Sequence, residues 1–130
     1  RPEESSHGLV LSAVDPAQPY GGLLPWPDNN GRPRRVAGAK VVLADGKPGF
    51  FLEKGMRKLT AFLALEDAQL SAWAGRALAQ LADQVKGKSL RIQEIDGENA
   101  SASRWAESLR QQGFRDDYTG LMILGRTHTG

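Results

Sequence analysis

Five of the chain's seven prolines fall between Asp15 and Arg35, in the stretch DPAQPYGGLLPWPDNNGRPRR. Proline fixes φ and has no amide to donate, so neither a helix interior nor a central strand can run through this stretch. It reads as a long loop. Long ordered loops in compact domains either carry function or are packed by their own aromatic residues, and Tyr20, Leu23, Leu24 and Trp26 are available for that packing.

On either side of the loop the pattern is regular. Gly8 to Val14 reads as a strand, after seven polar residues expected to be frayed or disordered. Ala39–Ala44 and Gly49–Glu53 flank Asp45-Gly46, a dipeptide suited to a tight hairpin turn, and Lys54-Gly55 leads into a third strand, Lys58–Phe62. From Glu66 to Lys86 the apolar residues Leu70, Trp73, Ala74, Ala77, Leu78, Leu81 and Val85 recur at helical spacing, with Glu66 and Asp67 in the first turn and Gly87 as the stop. Leu90–Ile95 is expected as one strand. A second helix, capped by Ser101 or Ser103, runs to about Gln112, with Trp105, Ala106 and Leu109 inward. Gly113 and Phe114 close it, and Leu121–Leu124 is the last strand. The order β-loop-βββ-α-β-α-β defines an α+β fold: a mixed, mostly antiparallel sheet with two helices packed on it.

A chain of 130 residues is one domain by length. At 40% hydrophobic and 25% charged residues it has enough apolar material for a core, which excludes a disordered or coiled-coil chain. The lack of cysteine excludes disulfides, thiolate zinc sites and a cysteine nucleophile, and fits a cytoplasmic location. No apolar run approaches the roughly 18–20 residues of a membrane span. The first residue is Arg1 rather than Met, and the expectation is a fragment of a longer protein.

Sites of chemistry are sparse. The two histidines, His7 and His128, sit near opposite ends of the sequence, so neither a Ser–His–Asp triad nor a metal-ligand spacing can be drawn, and there is no P-loop pattern. Asp15, Asp116 and Asp117 are read as loop carboxylates, of which Asp116 and Asp117 are the candidates for catalysis. The net charge is +2, but Asn29–Ala44 holds Arg32, Arg34, Arg35 and Lys40 and no acid. Such a run can meet phosphates, and Tyr20 and Trp26 beside it are the candidates for stacking on a base; a solvated basic loop anchored by its aromatics is the plainer use of the same residues.

Several of these segments together resemble a known family. They are Leu9–Gly21 (LVLSAVDPAQPYG), Leu24–Pro27 (LPWP), Arg32–Ala39 (RPRRVAGA) and Val42–Gly46 (VLADG), with Leu109 to Phe114 and Tyr118 to Leu121 near the end. They resemble the far C-terminal region of the actinobacterial large helicase-related proteins. These are superfamily 2, DEAD/DEAH-box, ATP-dependent 3′–5′ helicases acting on single-stranded DNA and on RNA:DNA hybrids. The resemblance implies that residues 1–130 are a non-catalytic C-terminal accessory domain. ATP and Mg²⁺ would belong to the distant helicase core, with no cofactor bound in this fragment. It further implies nucleic acid, neighbouring domains of the same chain and further copies of the protein as partners, no membrane, and a part in DNA repair. Two enzymatic alternatives stand beside it. One is an acetyltransferase-like enzyme, for which Arg110-x-x-Gly113-x-Arg115 imitates part of the acyl-carrier loop. The other is a share in a DNA-glycosylase-like site through Asp116 or Asp117.

Overall fold

The computed structural model describes residues 8–27, 29, 31, 33–62, 66–85 and 89–125. The polar residues 1–7, Arg32, Lys86, Gly87 and His128 lie outside the described residues. The first four strands are β1 (Gly8–Ser12), β2 (Lys40–Ala44), β3 (Lys47–Leu52) and β4 (Lys58–Ala61); β2, β3 and β4 form the antiparallel meander that the sequence predicts, and β1 adds to it antiparallel to β2. Asp45 and Gly46 both take positive φ at the β2–β3 turn. Strand β3 begins two residues earlier than expected and includes the buried Pro48. The ladder tolerates it because the register slips there: Val42 faces Phe50 but Leu43 faces Pro48, leaving Gly49 as the extra residue of a bulge.

Asp67 starts helix α1 (Ala68–Leu81), accepting from the amides of Gln69 and Leu70 at 2.9 and 3.1 Å. Glu66 lies before the helix and accepts instead from the guanidinium of Arg104. The helix ends five residues short of the expected Lys86. The amides of Asp83 and Gln84 bond back to Gln80 and Leu81, an i→i+3 pattern that tightens the last turn, and Gly125 packs against the carbonyl of Ala82. Leu70, Ala74, Ala77, Leu78 and Leu81 form its buried stripe; Trp73 and Trp105, expected in the core, are only partly buried at its margin.

Leu90–Ile95 is not one strand. It divides at Gln93 into β5 (Ser89–Ile92) and β6 (Glu94–Ile95), which belong to different sheets. The cause is parity. Leu90 and Ile92 point inward, but the next buried residue is Ile95, one step out of phase, and no regular strand can bury both sets on one face. Strand β6 pairs parallel to β4 and antiparallel to β7 (Glu98–Asn99), completing a six-stranded mixed sheet ordered β1-β2-β3-β4-β6-β7. A 3-10 turn at Ala100–Ala102 follows, and helix α2 spans Ala106–Gln111, entered through a turn in which the Ser103 hydroxyl accepts from the amide of Trp105 and the Ser103 carbonyl from that of Ala106. Its end is as expected: Gly113 is left-handed, and the amide of Phe114 reaches back to the carbonyl of Leu109.

The last hairpin joins β8 (Arg115–Asp117), absent from the sequence reading, to β9 (Gly120–Leu124), and with β5 forms a three-stranded sheet ordered β5-β9-β8. Gly120 is required here: an added Cβ would lie 2.3 Å from the carbonyl oxygen of Ile92, where the chain leaves the small sheet. The architecture is α+β, with two α-helices among the described residues packed against mixed and antiparallel sheet. The main core lies between α1, α2 and the inner residues Val42, Phe50, Leu52 and Leu59. A second core lies on the opposite face of the large sheet, around Val41, Leu43, Phe51 and Phe62.

Candidate functional site

The second core exists because residues 15–27 fold back over the sheet, bringing Tyr20 and Trp26 onto it. Asp15 opens the loop with its carboxylate on the amide of Ala17 at 2.8 Å. Gln18, wholly buried, then does the work of a missing strand partner. Its Nε2 donates to the carbonyls of Ala13 (2.8 Å) and Tyr20 (3.1 Å), and its Oε1 accepts from the amide of Tyr20 (2.6 Å). A buried amide with its partners in place gives this irregular backbone one arrangement. Trp26 is seated between aromatic neighbours. It lies parallel to Phe62 (3°, centroids 6.0 Å apart), edge-on to Phe51 (71°, 5.4 Å) and stacked near Tyr20 (26°, 6.4 Å). Gly21, at φ +83°, lies against the indole, and an added Cβ would come within 2.7 Å of Trp26 Nε1.

The candidate nucleic-acid residues are thereby divided. Tyr20 and Trp26 come together, but their rings are engaged in covering the sheet. Arg35 joins them as a brace, its Nη2 donating to the carbonyls of Asp15 (3.2 Å) and Gln18 (3.4 Å). Arg34 is exposed, and Lys40 is half-buried at the start of β2 between Ser12 and Leu52. What the loop turns outward is largely apolar: Leu23 is 92% exposed, and Leu24, Val36 and Val14 are exposed around 40%. Gln18 and the brace by Arg35 escape a reading by residue type, since each resembles an ordinary solvated side chain.

Asp116 and Asp117 are not loop carboxylates, because they sit in β8. Asp116 is exposed and accepts from both Nε (3.1 Å) and Nη2 (2.9 Å) of Arg110, whose Nη2 also donates to the carbonyl of Ser101 at 3.0 Å. The hydrogen bond to Asp116 is the main reason the Arg110 guanidinium titrates above its usual range, with Glu107 adding to it. Asp117 holds the β8–β9 turn, its Oδ1 accepting from the hydroxyl and amide of Thr119 (both 2.7 Å) and from the amide of Gly120 (3.2 Å). The hydrogen bonds from Thr119 first, and the charge of Arg91 at 3.7 Å after them, hold the Asp117 carboxyl below the usual range. Next to this turn is an open polar recess of about 350 Å³ lined by Gln93, Glu94, Gly97, Asn99 and Thr119. Among the described residues no three His, Cys, Asp or Glu side chains converge as a metal site. Arg110, Gly113 and Arg115 end α2 and enter β8 rather than opening a helix, so their amides do not form the helix-N-terminal cradle of an acyl-carrier loop. No helix among the described residues is long and apolar enough to cross a membrane.

Two predictions follow from this packing. Trp26→Ala should cost about 3 kcal/mol of stability and Gly21→Ala about 1–2 kcal/mol. Because the two contact each other, the double variant should lose less than the sum in a denaturant-unfolding cycle; full additivity would show that Gly21 does not rest on the indole. For Asp117, a carboxyl held low in the folded state stabilises above its unfolded pKa and stops doing so as pH falls through its folded one. Asp117→Asn should therefore lower the Tm at pH 7, with the gap to the wild type closing toward pH 2; a gap independent of pH would contradict the role of the ionised carboxylate.

No family profile matches the chain. Two curated proteins do. The Lhr helicase/probable uracil glycosylase of Mycolicibacterium smegmatis is 42% identical over 110 residues, 77% of this chain and 7% of the relative. The Lhr helicase/uracil glycosylase of Escherichia coli is 30% identical over 115 residues, 87% of this chain and again 7% of the relative. The chain thus spans a small fraction of the length of the proteins it matches. Over most of its own length it is a domain related to one segment of the Lhr-type helicases.

Proposed function

We propose that this chain is a non-catalytic C-terminal accessory module of an ATP-dependent 3′–5′ DNA helicase of the Lhr type, acting in DNA repair through contacts with nucleic acid and with neighbouring domains. The observation that carries the reading is the similarity just described, in which most of this domain corresponds to a small segment of much longer helicases. The surface of the proline-rich loop agrees with it. A rigid lid presenting Leu23, Leu24 and Val36, with the exposed Arg34 nearby in sequence, suits an interface that is apolar at its centre and charged at its rim. ATP and Mg²⁺ belong, on this reading, to the distant motor core, and copies of the helicase or adjoining domains are its protein partners.

In a full-length Lhr-type helicase carrying this domain, Leu23→Ser with Leu24→Ser should leave ATP hydrolysis on single-stranded DNA within about twofold and reduce duplex unwinding several-fold. The basis is that each large apolar side chain fully buried at an interface contributes roughly 1.5–3 kcal/mol. Unwinding and oligomeric state both unchanged would overturn the accessory reading of this surface.

A second reading, participation in a uracil-excising site, is favoured by the naming of both relatives as uracil glycosylases, one of them as a probable one. Asp116 is exposed and bound by Arg110, and Asp117 is committed to a turn, so each has structural work. Asp116→Asn and Asp117→Asn in the full-length protein are accordingly expected to retain uracil release from DNA. Loss of release by a variant that still folds would assign the residue to catalysis.

A further inference from the structure

The small sheet has two unlike faces. Directly opposed residues in an antiparallel ladder share a face. The register sets Arg91 and Arg115 on either side of Met122, with Ser89 opposite Leu124 and Asp117 opposite Gly120. The alternate residues Leu90, Ile92 and Leu121 are buried in the core. The first set therefore looks outward: Arg91 and Arg115 are exposed, Leu124 is 69% exposed and Met122 is partly so. With strands about 4.8 Å apart, the two arginine backbones lie roughly 10 Å from each other across β9.

At the end of this face stands Tyr118, 95% exposed at the tip of the β8–β9 hairpin. A tyrosine ring left in water gains nothing for the fold, and this one is presented by a stiff turn. Asp117 accepts three hydrogen bonds across it, from Thr119 and Gly120. The two carboxylates of β8 are occupied. Asp116 is bound by Arg110, and Asp117 serves the turn while lying 3.7 Å from Arg91. That pair is long and half-exposed on its Arg91 side, so it is weak and leaves the Arg91 guanidinium open to a stronger acceptor. Among the described residues Arg115 forms no ion pair.

We propose that the outer face of the β5-β9-β8 sheet is a binding site for single-stranded nucleic acid, with Arg91 and Arg115 contacting phosphates and Tyr118 stacking on a base. Two guanidiniums separated by apolar side chains, beside a preorganised aromatic ring, match a strand that is anionic along its backbone and flat at its bases. The face is separate from the loop that covers the large sheet, so the site does not depend on the helicase reading.

The test is fluorescence anisotropy of a labelled oligothymidylate with the full chain at low salt. The wild type should bind, and Tyr118→Ala should weaken binding about five- to a hundredfold, the range of losing one stacked base. Tyr118→Phe should retain it. Arg91→Gln with Arg115→Gln should weaken binding and reduce the slope of log K against log salt by about 1.4, two phosphate contacts on a single strand. All three positions of change, Arg91, Arg115 and Tyr118, are exposed, so melting temperatures should stay near the wild type. The proposal fails if the wild-type chain does not bind, if Tyr118→Ala binds as tightly as the wild type, if Tyr118→Phe is as weak as Tyr118→Ala, or if the arginine variant keeps the salt slope. It also fails if sedimentation shows that these substitutions abolish self-association and leave DNA binding intact, which would make the face a protein interface. Leu23→Ser with Leu24→Ser should leave this binding unchanged, so the outcome is distinguishable from that for the accessory reading.

Discussion

Adjacent phenylalanines in one strand set the terms for the whole molecule. Phe50 and Phe51 are both 2% exposed, and neighbours in a strand point to opposite faces. The central sheet must therefore be covered on both sides, whereas an antiparallel sheet commonly leaves one side to water. Helix α1 covers Phe50. Among the described residues no helix covers Phe51, and the cover there is the proline-rich segment, anchored by Trp26 and held in shape by the amide of Gln18. Prolines suit this task. They forgo amide donors that an irregular layer would struggle to satisfy, and they reduce the entropy lost when a loop becomes a wall.

This explains why three of the residues that looked like a nucleic-acid grip, Tyr20, Trp26 and Arg35, serve the loop itself. The aromatic rings of Tyr20 and Trp26 and the guanidinium of Arg35 are the means by which a loop binds its own sheet, and the chemistry that would attract a base or a phosphate serves equally well to hold a partner ring or a carbonyl. Residue type cannot separate these uses; the partners each side chain already has can. The same criterion brings forward Tyr118, an aromatic with no packing role, which a reading by motif passed over as part of a closing pattern.

Much of the fold is nevertheless legible in the sequence. The Asp45-Gly46 hairpin, the stripe of α1 and the Gly113–Phe114 helix end depend on local geometry and follow from local residues. The break at Gln93 is also written there, in the phase slip between Ile92 and Ile95, although a run of β-forming residues masks it. Strand β8 is different. Arg-Asp-Asp has low strand propensity, and it is extended because β9 offers it a ladder and Asp117 can lock the turn, both tertiary circumstances. The carboxylates of β8 owe their roles to the same circumstances, which is why their placement as loop residues failed.

Rigidity is the property that unites the two proposed surfaces. On the accessory reading proposed above, a module of this size attached to a motor need not bind tightly on its own. Once tethered, its contacts act at an effective concentration in the millimolar range for a short linker, so a site too weak to matter in isolation can bias the path of a strand. That gain is lost if the site must first be ordered, since each immobilised flexible side chain costs about 0.5–1.5 kcal/mol. A turn fixed by Asp117, a sheet buried on its inner face by Leu90, Ile92 and Leu121, and a loop sealed by Trp26 keep that cost low. The stability invested in covering both faces of the central sheet would then appear in function as preorganisation, with weak contacts held at the right distance from one another.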